Sequence, residues 1–399
     1  MVAKEQHGVL PFKIEGTNEP LIARAGLVLP YEMAKAFKLP KVIDRELPPP
    51  GSGRGYKPSQ FVMPLVLMLH GGGKRLEDLR ELRGEVSLRE LVGMKELPAS
   101  CTVGDWLRRM GQDGRGLSGL GKVNEHLVAV VLRGDARTEY TLDTDATVIE
   151  AEKEEAQWTY KKEKGYQPLL GFLFELGLVL GAFRDGNVPA GGGAVDFLKL
   201  CQHAMPKGKR IRYYRSDSAA YQAGVINYCF DHDMLFTITA DQDKAVKGAI
   251  KAIKEEEWQP HDKDREIAET VHTMNDTKEA FRVVQRWPKL QGEGDPDPYC
   301  YHVIATDREE PAKEIVALHN QRGQAENFIS LKEGFGLGWM PCGETYANAV
   351  FFRIGVIAYN LFLALKRGLP IWWRKHTIAT VRWKLFRQVC RKCVQIEYG

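Results

Sequence analysis

The chain has 399 residues, 44% of them hydrophobic and 27% charged, with a formal net charge of +4. That length suggests roughly two or three domains around a real core, with a composition ordinary for a soluble globular protein. Seven cysteines scattered over the sequence exclude a disulfide scaffold, the start does not read as a signal peptide, and a reducing cytoplasm is the expected home.

Residues 1 to about 50 are mixed and end in "ELPPPGSGRGYKPSQ", a Pro/Gly-rich punctuation. An apolar "FVMPLVLMLHGG" follows, then "RLEDLRELRG" and "SLRELVGM", where Leu recurs at helical spacing. "SCTVGDWLRRMG" (100–111) reads as a short capped helix. Residues 1–135 are therefore expected to be mostly helical, with basic faces suited to DNA ends or partners.

The character changes at Glu139. "YTLDTDATVIEAE" (140–152) alternates and is rich in Thr and Val, which predicts a strand. "GFLFELG" (171–177) and "LVLGAFRDGN" (178–187) predict two more, joined by a tight turn. "AVDFLKLCQHAM" (194–205) has helical periodicity, "KRIRYYRSDSAA" (209–220) is a strand with a polar end, "YQAGVINYCFDHD" (221–233) a helix and "MLFTITA" (234–240) a strand. The order β-β-β-α-β-α-β describes a ribonuclease H-like α/β fold, whose core is expected over 136–240 plus 310–335. A β-rich insertion over 241–309 is expected from "AFRVVQRW" (280–287) and "YCYHVIATDR" (299–308), and Trp258 and Trp287 within it read as core residues.

Residues 336–399 are expected to form a helical C-terminal region with a basic tail. From Lys366 onward nine Lys or Arg face one acid, with Trp372, Trp373, Trp383 and Phe386 interleaved, a composition suited to nucleic acid or to a solvated basic helix. Cys390 and Cys393 form a lone C-x2-C with no second pair at matching spacing, too little for zinc. The apolar stretches 168–183 and 349–365 carry Glu175, Arg353 and Asn360 and read as core elements rather than membrane spans. The acid-rich "EAEKEEAQ" (150–157) reads as a solvated loop.

In the ribonuclease H-like order the first and fourth strands are neighbours, so Asp143 and Asp145 on the first converge with Asp217 at the end of the fourth. Either Asp143 or Asp145 can be the primary acid, the other then being an edge or supporting group. Asp217 has a plainer alternative, closing its strand where Ser216 or Ser218 caps the next helix. In "HNQRGQAENFISLKEG" (319–334), Arg322 and Glu326 share a helix face at i,i+4, as a solvated ion pair would too.

Together these stretches resemble the DDE transposases of bacterial insertion sequences, in the branch whose core is split by a β insertion. "DAT" (145–147) resembles the motif bearing the first aspartate, which favours Asp145, and "YRSDSA" (214–219) the one bearing the second. "HNQRGQAEN" with Lys332 resembles the signature Tyr-x2-Arg-x3-Glu-x6-Lys, with His319 at the Tyr position and Lys332 one residue early. The resemblance covers about 139–365. It implies Asp145, Asp217 and Glu326 as catalytic metal ligands for two Mg2+ ions, with Mn2+ as a substitute. Arg322 and Lys332 are then phosphate-binding, and Asp143, Thr147 and His319 supporting. It further implies double-stranded DNA as partner, at the element's terminal inverted repeats and the target, a homodimer on two ends, no membrane, and a bacterial cytoplasm. Hard oxygen ligands suit Mg2+, and two ions about 4 Å apart serve the in-line displacements of cleavage and strand transfer. Another ribonuclease H-like nuclease, or an inactive DNA-binding derivative, is the alternative.

Overall fold

The computed structural model describes residue 19 and residues 21–277, 281–288, 299–322 and 330–391. A short strand, β1 (Leu21–Ile22), precedes α1 (Val28–Ala36), α2 (Leu39–Glu46), α3 (Ser59–Gly71), α4 (Leu79–Gly84), α5 (Val86–Leu91), α6 (Ser100–Gln112) and α7 (Arg115–Arg133). Every residue of α3 from Phe61 to His70 is buried, as an all-round apolar helix requires. The first two helices lie in the segment that sequence left as mixed. The expected cap on α6 is absent: Ala99 stands at its N-cap without a side-chain bond. The helix instead rests on its buried stripe of Val103, Trp106, Leu107 and Met110, with Trp106 stacked on Phe61 at 4.8 Å.

The next elements follow the expected order: β2 (Glu139–Ala146), then, after a small inserted sheet, β6 (Leu169–Leu173), β7 (Leu178–Ala182), α8 (Ala194–His203), β8 (Arg210–Ser216), α9 (Ala223–Asp231) and β9 (Leu235–Thr239). The inserted strands are β3 (Ile149–Glu150), β4 (Gln157–Trp158) and β5 (Lys164–Tyr166), paired antiparallel in the order β3-β5-β4. Residues 151–156 form the loop between β3 and β4, with Glu152, Glu154 and Glu155 exposed to solvent as expected and Ala151 and Ala156 buried.

β2 lies parallel to β8 and antiparallel to β6, β8 lies parallel to β9, and β7 closes the edge beyond β6. This is the ribonuclease H-like arrangement. Both faces are covered, so β6 reads as an unbroken apolar run. Leu169 and Leu173 join Tyr140, Leu142, Tyr214 and Phe236 in a core with α8 and α9, while Leu170 and Phe172 join the helical core on the other side.

Past β9 come α10 (Lys244–Lys251), β10 (Gln259–Pro260), β11 (Glu266–His272), β12 (Phe281–Pro288), β13 (Tyr299–Thr306) and α11 (Ala312–Asn320). β13 pairs antiparallel with β9, so these four strands extend the central sheet to nine, in the order β10-β11-β12-β13-β9-β8-β2-β6-β7. Trp258 is buried and carries the Arg286 guanidinium 4.1 Å over its ring; the side chain of Trp287 lies outside the described residues.

α12 (Thr345–Gly368) is long and apolar enough to cross a membrane, but 89% of its apolar window is buried inside the protein, where it packs on α3, α6, α7 and β7. Its Asn360 is wholly buried and faces the sheet edge: Oδ1 accepts from the Val179 amide at 2.8 Å, and Nδ2 donates to the Val179 carbonyl and to Asn124. The tail then turns through α13 (Ile378–Val381) to β14 (Cys390–Arg391), which pairs with β1. Part of the basic tail is structural, since Arg382 donates to the carbonyls of Leu69 and His70 and Phe386 is buried. Trp372 and Trp383 remain exposed. Cys393 lies outside the described residues.

Candidate active site

Asp145 is the penultimate residue of β2, and Asp217 is the first residue past β8. Parallel pairing of these two strands, with Asp143 opposite Arg215 and Thr144 opposite Ser216, brings both acids to one end of the sheet. They line a small cleft with Ala190, Gly191 and Phe197. Asp217 caps the turn after β8 itself, its Oδ1 accepting from the Ala219 amide at 3.1 Å; neither Ser216 nor Ser218 does so. Gly191 is tight against that turn, because a Cβ there would meet the Ala219 carbonyl oxygen at 2.1 Å.

Asp145 opens to solvent at the cleft mouth, with protein mass on its other sides. That mass and the neighbouring Asp217 charge push its pKa up to about 6, against the opposing pull of Arg322 and Lys161. Two carboxylates that repel each other without a bound proton or cation are the donor set for a hard divalent ion.

Asp143 points elsewhere. It is 3% exposed and grips Arg215 through two bonds, Nε to Oδ1 at 2.6 Å and Nη2 to Oδ2 at 2.8 Å. Arg215 also donates to the Leu318 carbonyl at 2.7 Å and lies 4.2 Å over the Phe174 ring. Burial pushes the Asp143 carboxyl up from its ordinary value and the guanidinium pulls it back. With both oxygens engaged, Asp143 ties β2 to β8 and α11 beneath the Asp145–Asp217 pair. Thr144 adds a second tie through Tyr214 Oη at 2.7 Å and Ser216 Oγ at 2.9 Å.

His319, on the last turn of α11, is buried and doubly bonded: Nδ1 meets Thr237 Oγ1 and Nε2 meets Thr239 Oγ1, each at 3.0 Å. Burial, then the charge of Arg322, lowers its pKa to about 3, so the ring is neutral and has no nitrogen to spare for a metal. It pins α11 to β9, and Arg322 follows in the turn after the helix, its amide donating to the His319 carbonyl at 3.0 Å. Arg322 sits close enough to act electrostatically on Asp143 and Asp145. Lys332 reaches the same sheet end, its Nζ donating to the Val148 carbonyl at 3.3 Å. Thr147 is buried just past β2 and is linked to Pro168 through its amide. Glu326 lies outside the described residues, and among the described residues no three acids, histidines or cysteines converge on one metal position.

Sequence reasoning missed two groups. Arg215 hides in a strand as one more basic residue, and only the register across β2 and β8 reveals its partner. Lys161 stands sixteen residues past Asp145 in a segment with no motif, and the folding of β3–β5 leaves it within electrostatic range of the acid.

The sequence model of a family described as transposase DDE domain, group 1, matches residues 10–395. No curated relative matches the chain. Among solved structures it is similar to the piggyBac transposase in a synaptic complex with hairpin DNA. The TM-score is 0.53 at 9% identity, with 90% of this chain and 79% of that one covered. At that identity the likeness speaks for the fold alone.

Proposed function

The chain belongs to the transposase DDE domain family, group 1, and on that premise we propose that it is a Mg2+-dependent DNA transposase that cuts at the ends of its element and joins the freed 3′ hydroxyl to target DNA. The observation that carries this reading is the placement of Asp145 beside Asp217 by parallel pairing of β2 and β8. In it Asp145 and Asp217 hold the metal, with Glu326 as the third ligand. Mg2+, or Mn2+ in its place, supplies activation of the attacking oxygen and charge neutralisation at the leaving one when bound.

The chain's own groups do the rest. Arg322 offers a planar fork to a non-bridging phosphate oxygen, and Lys332 a point charge to a neighbouring phosphate. His319 contributes by staying neutral and holding α11 so that Arg322 emerges beside Asp145. The Asp143–Arg215 pair keeps the two acid-bearing strands in register. DNA as partner is supported by the similar fold's own complex with hairpin DNA. The N-terminal helical region suits binding of the terminal repeats, since Arg80, Arg83, Arg89 and Lys95 line a broad groove beside Tyr56. Two ends held by a homodimer complete the proposal.

The test is Mg2+-dependent cleavage of a duplex carrying the element's end, comparing wild type with Glu326→Gln and measuring binding in parallel. Lost cleavage with retained binding supports Glu326 as ligand. Retained cleavage removes it from the site, and a wild type that binds but never cuts points to an inactive DNA-binding derivative.

A further inference from the structure

A peptide orients the Asp217 carboxylate. Its Oδ1 accepts from the Ala219 amide at 3.1 Å, so the position of that peptide sets the turn of the carboxylate in the cleft. The Ala219 peptide is held in turn by its carbonyl. Gln222, at the N-cap of α9, donates from Nε2 to the Ala219 carbonyl at 2.8 Å and to the Gly191 carbonyl at 2.9 Å. Gly191 leaves no slack there: a Cβ would stand 2.1 Å from the Ala219 oxygen and 2.2 Å from Gln222 Nε2.

Gly191 belongs to the loop between β7 and α8, and one guanidinium folds that loop. Arg184 is half-buried and donates from Nη2 to the Ala190 carbonyl at 3.2 Å and from Nη1 to the Gly192 carbonyl. Its Nε donates at 2.9 Å to the carbonyl of Gln167, whose own amide donates to the Arg184 carbonyl at 3.0 Å. Gln167 stands just before the chain enters β6, and the residues that follow set the register of the other acid: Leu169 pairs with Ala146 and Leu170 with Asp145. Between them, the Pro168 carbonyl takes the Thr147 amide at 3.0 Å. Arg184 is thus fixed to both sides of the cleft. It reaches the Asp145 side through β6 and the Asp217 side through the Ala190–Gly192 loop and Gln222. A rigid planar fork can span three carbonyls on two segments in this way, and a compact ammonium cannot.

We propose that Arg184 and Gln222 are positioning residues for the metal site: together they fix the separation and the aim of Asp145 and Asp217, and act on the ion only through those two acids. Mg2+ demands near-octahedral oxygen ligands at about 2.0–2.1 Å, so small displacements of either carboxylate are costly to it. The inference rests on Asp145 and Asp217 as metal ligands and adds the groups that set their spacing.

The experiment is Mn2+ binding to the full chain without DNA, read by the electron paramagnetic resonance signal of the free ion, with urea unfolding of the metal-free proteins alongside. Gln222→Leu removes both bonds at nearly constant volume. Arg184→Lys keeps the charge and loses the fork, and Asp217→Asn is the reference for a lost ligand. Gln222→Leu and Arg184→Lys should each weaken Mn2+ binding by roughly tenfold or more, as loss of a group that orients a metal ligand does. In cleavage, the Mg2+ concentration giving half the maximal rate should rise by the same factor, with much of that rate recovered at saturating Mg2+. Gln222→Leu carries the test alone if Arg184→Lys does not fold. Wild-type Mn2+ affinity in Gln222→Leu, whatever its stability, would make these residues staples of the loop and overturn the proposal alone. A wild type that binds no Mn2+, or an Asp217→Asn variant that binds it as well as wild type does, overturns the metal reading of the site together with it.

Discussion

Replacing Asp143 by Asn separates the structural acid from the metal-binding one. In the native chain Arg215 is almost fully buried and spends three donors on Asp143 and the Leu318 carbonyl. Removing one partner of a buried ion pair costs about 3–5 kcal/mol, because the other charge stays behind without compensation. The lower end, about 3 kcal/mol, applies here: the Asn oxygen still accepts one of the two bonds, and the Leu318 carbonyl still accepts its own. Urea unfolding at neutral pH without metal, followed by tryptophan fluorescence, should show Asp143→Asn destabilised by that amount and Asp145→Asn no less stable than wild type, because the charge it removes repels Asp217. An Asp143→Leu, Arg215→Met double variant should lose less than the sum of the single changes, since no orphan charge remains. At low temperature, Asp143→Asn should keep cleavage that Asp145→Asn abolishes. An Asp143→Asn protein with native stability, normal DNA binding and no cleavage would refute this reasoning and make Asp143 the ligand.

The raised pKa of Asp145 means that the folded chain holds its proton more tightly than the unfolded chain does, so in the absence of metal that contribution is lost as pH rises through about 6. Added Mg2+ should accordingly raise the melting temperature well above that pH and not well below it; equal shifts on both sides remove Asp145 from the metal. His319 has the opposite sign, its pKa being lowered from 6.5 to about 3, so its contribution is complete above 6.5 and is lost as pH falls toward 3. His319→Ala should cost about 2–4 kcal/mol in urea unfolding and weaken DNA binding through Arg322, whereas a variant of wild-type stability would show that the ring does not pin α11. Gly191→Ala should reduce cleavage by displacing the Asp217 turn, while Gly248→Ala, on α10 with nothing within 4 Å of the new methyl, should stabilise by about 0.5–1 kcal/mol. Indistinguishable cleavage in Gly191→Ala and wild type would show that the Asp217 turn tolerates the displacement.

What was legible in sequence was local. The alternation of "YTLDTDA", the periodicity of residues 194–205 and 221–233, and the turn chemistry between them each declare an element within a short window, and their order carries the topology. Asp145 and Asp217 were readable because the topology alone makes their strands neighbours. What escaped depends on pairing between distant residues. Arg215 meets Asp143 across seventy-two positions, and β13 joins β9 across 65 to 69, so neither leaves a local trace. The small sheet escaped for another reason: its strands are two or three residues long, below the length at which alternation is visible, and its acids resemble a solvated loop. Glu326 rests on its motif alone.

α12 also bears on how the protein is made. It is the hub of the helical core, touching α3, α6, α7 and β7, yet it begins only at Thr345. While a ribosome is still short of that residue, the apolar stripes of the earlier helices have no centre to close on, and the Val179 edge has no Asn360 to seal it. Those stripes and that edge therefore stay open to solvent until α12 has been made, whereas the core between the sheet, α8 and α9 is complete before it. A chain ending before Thr345 would lack the centre of its helical core.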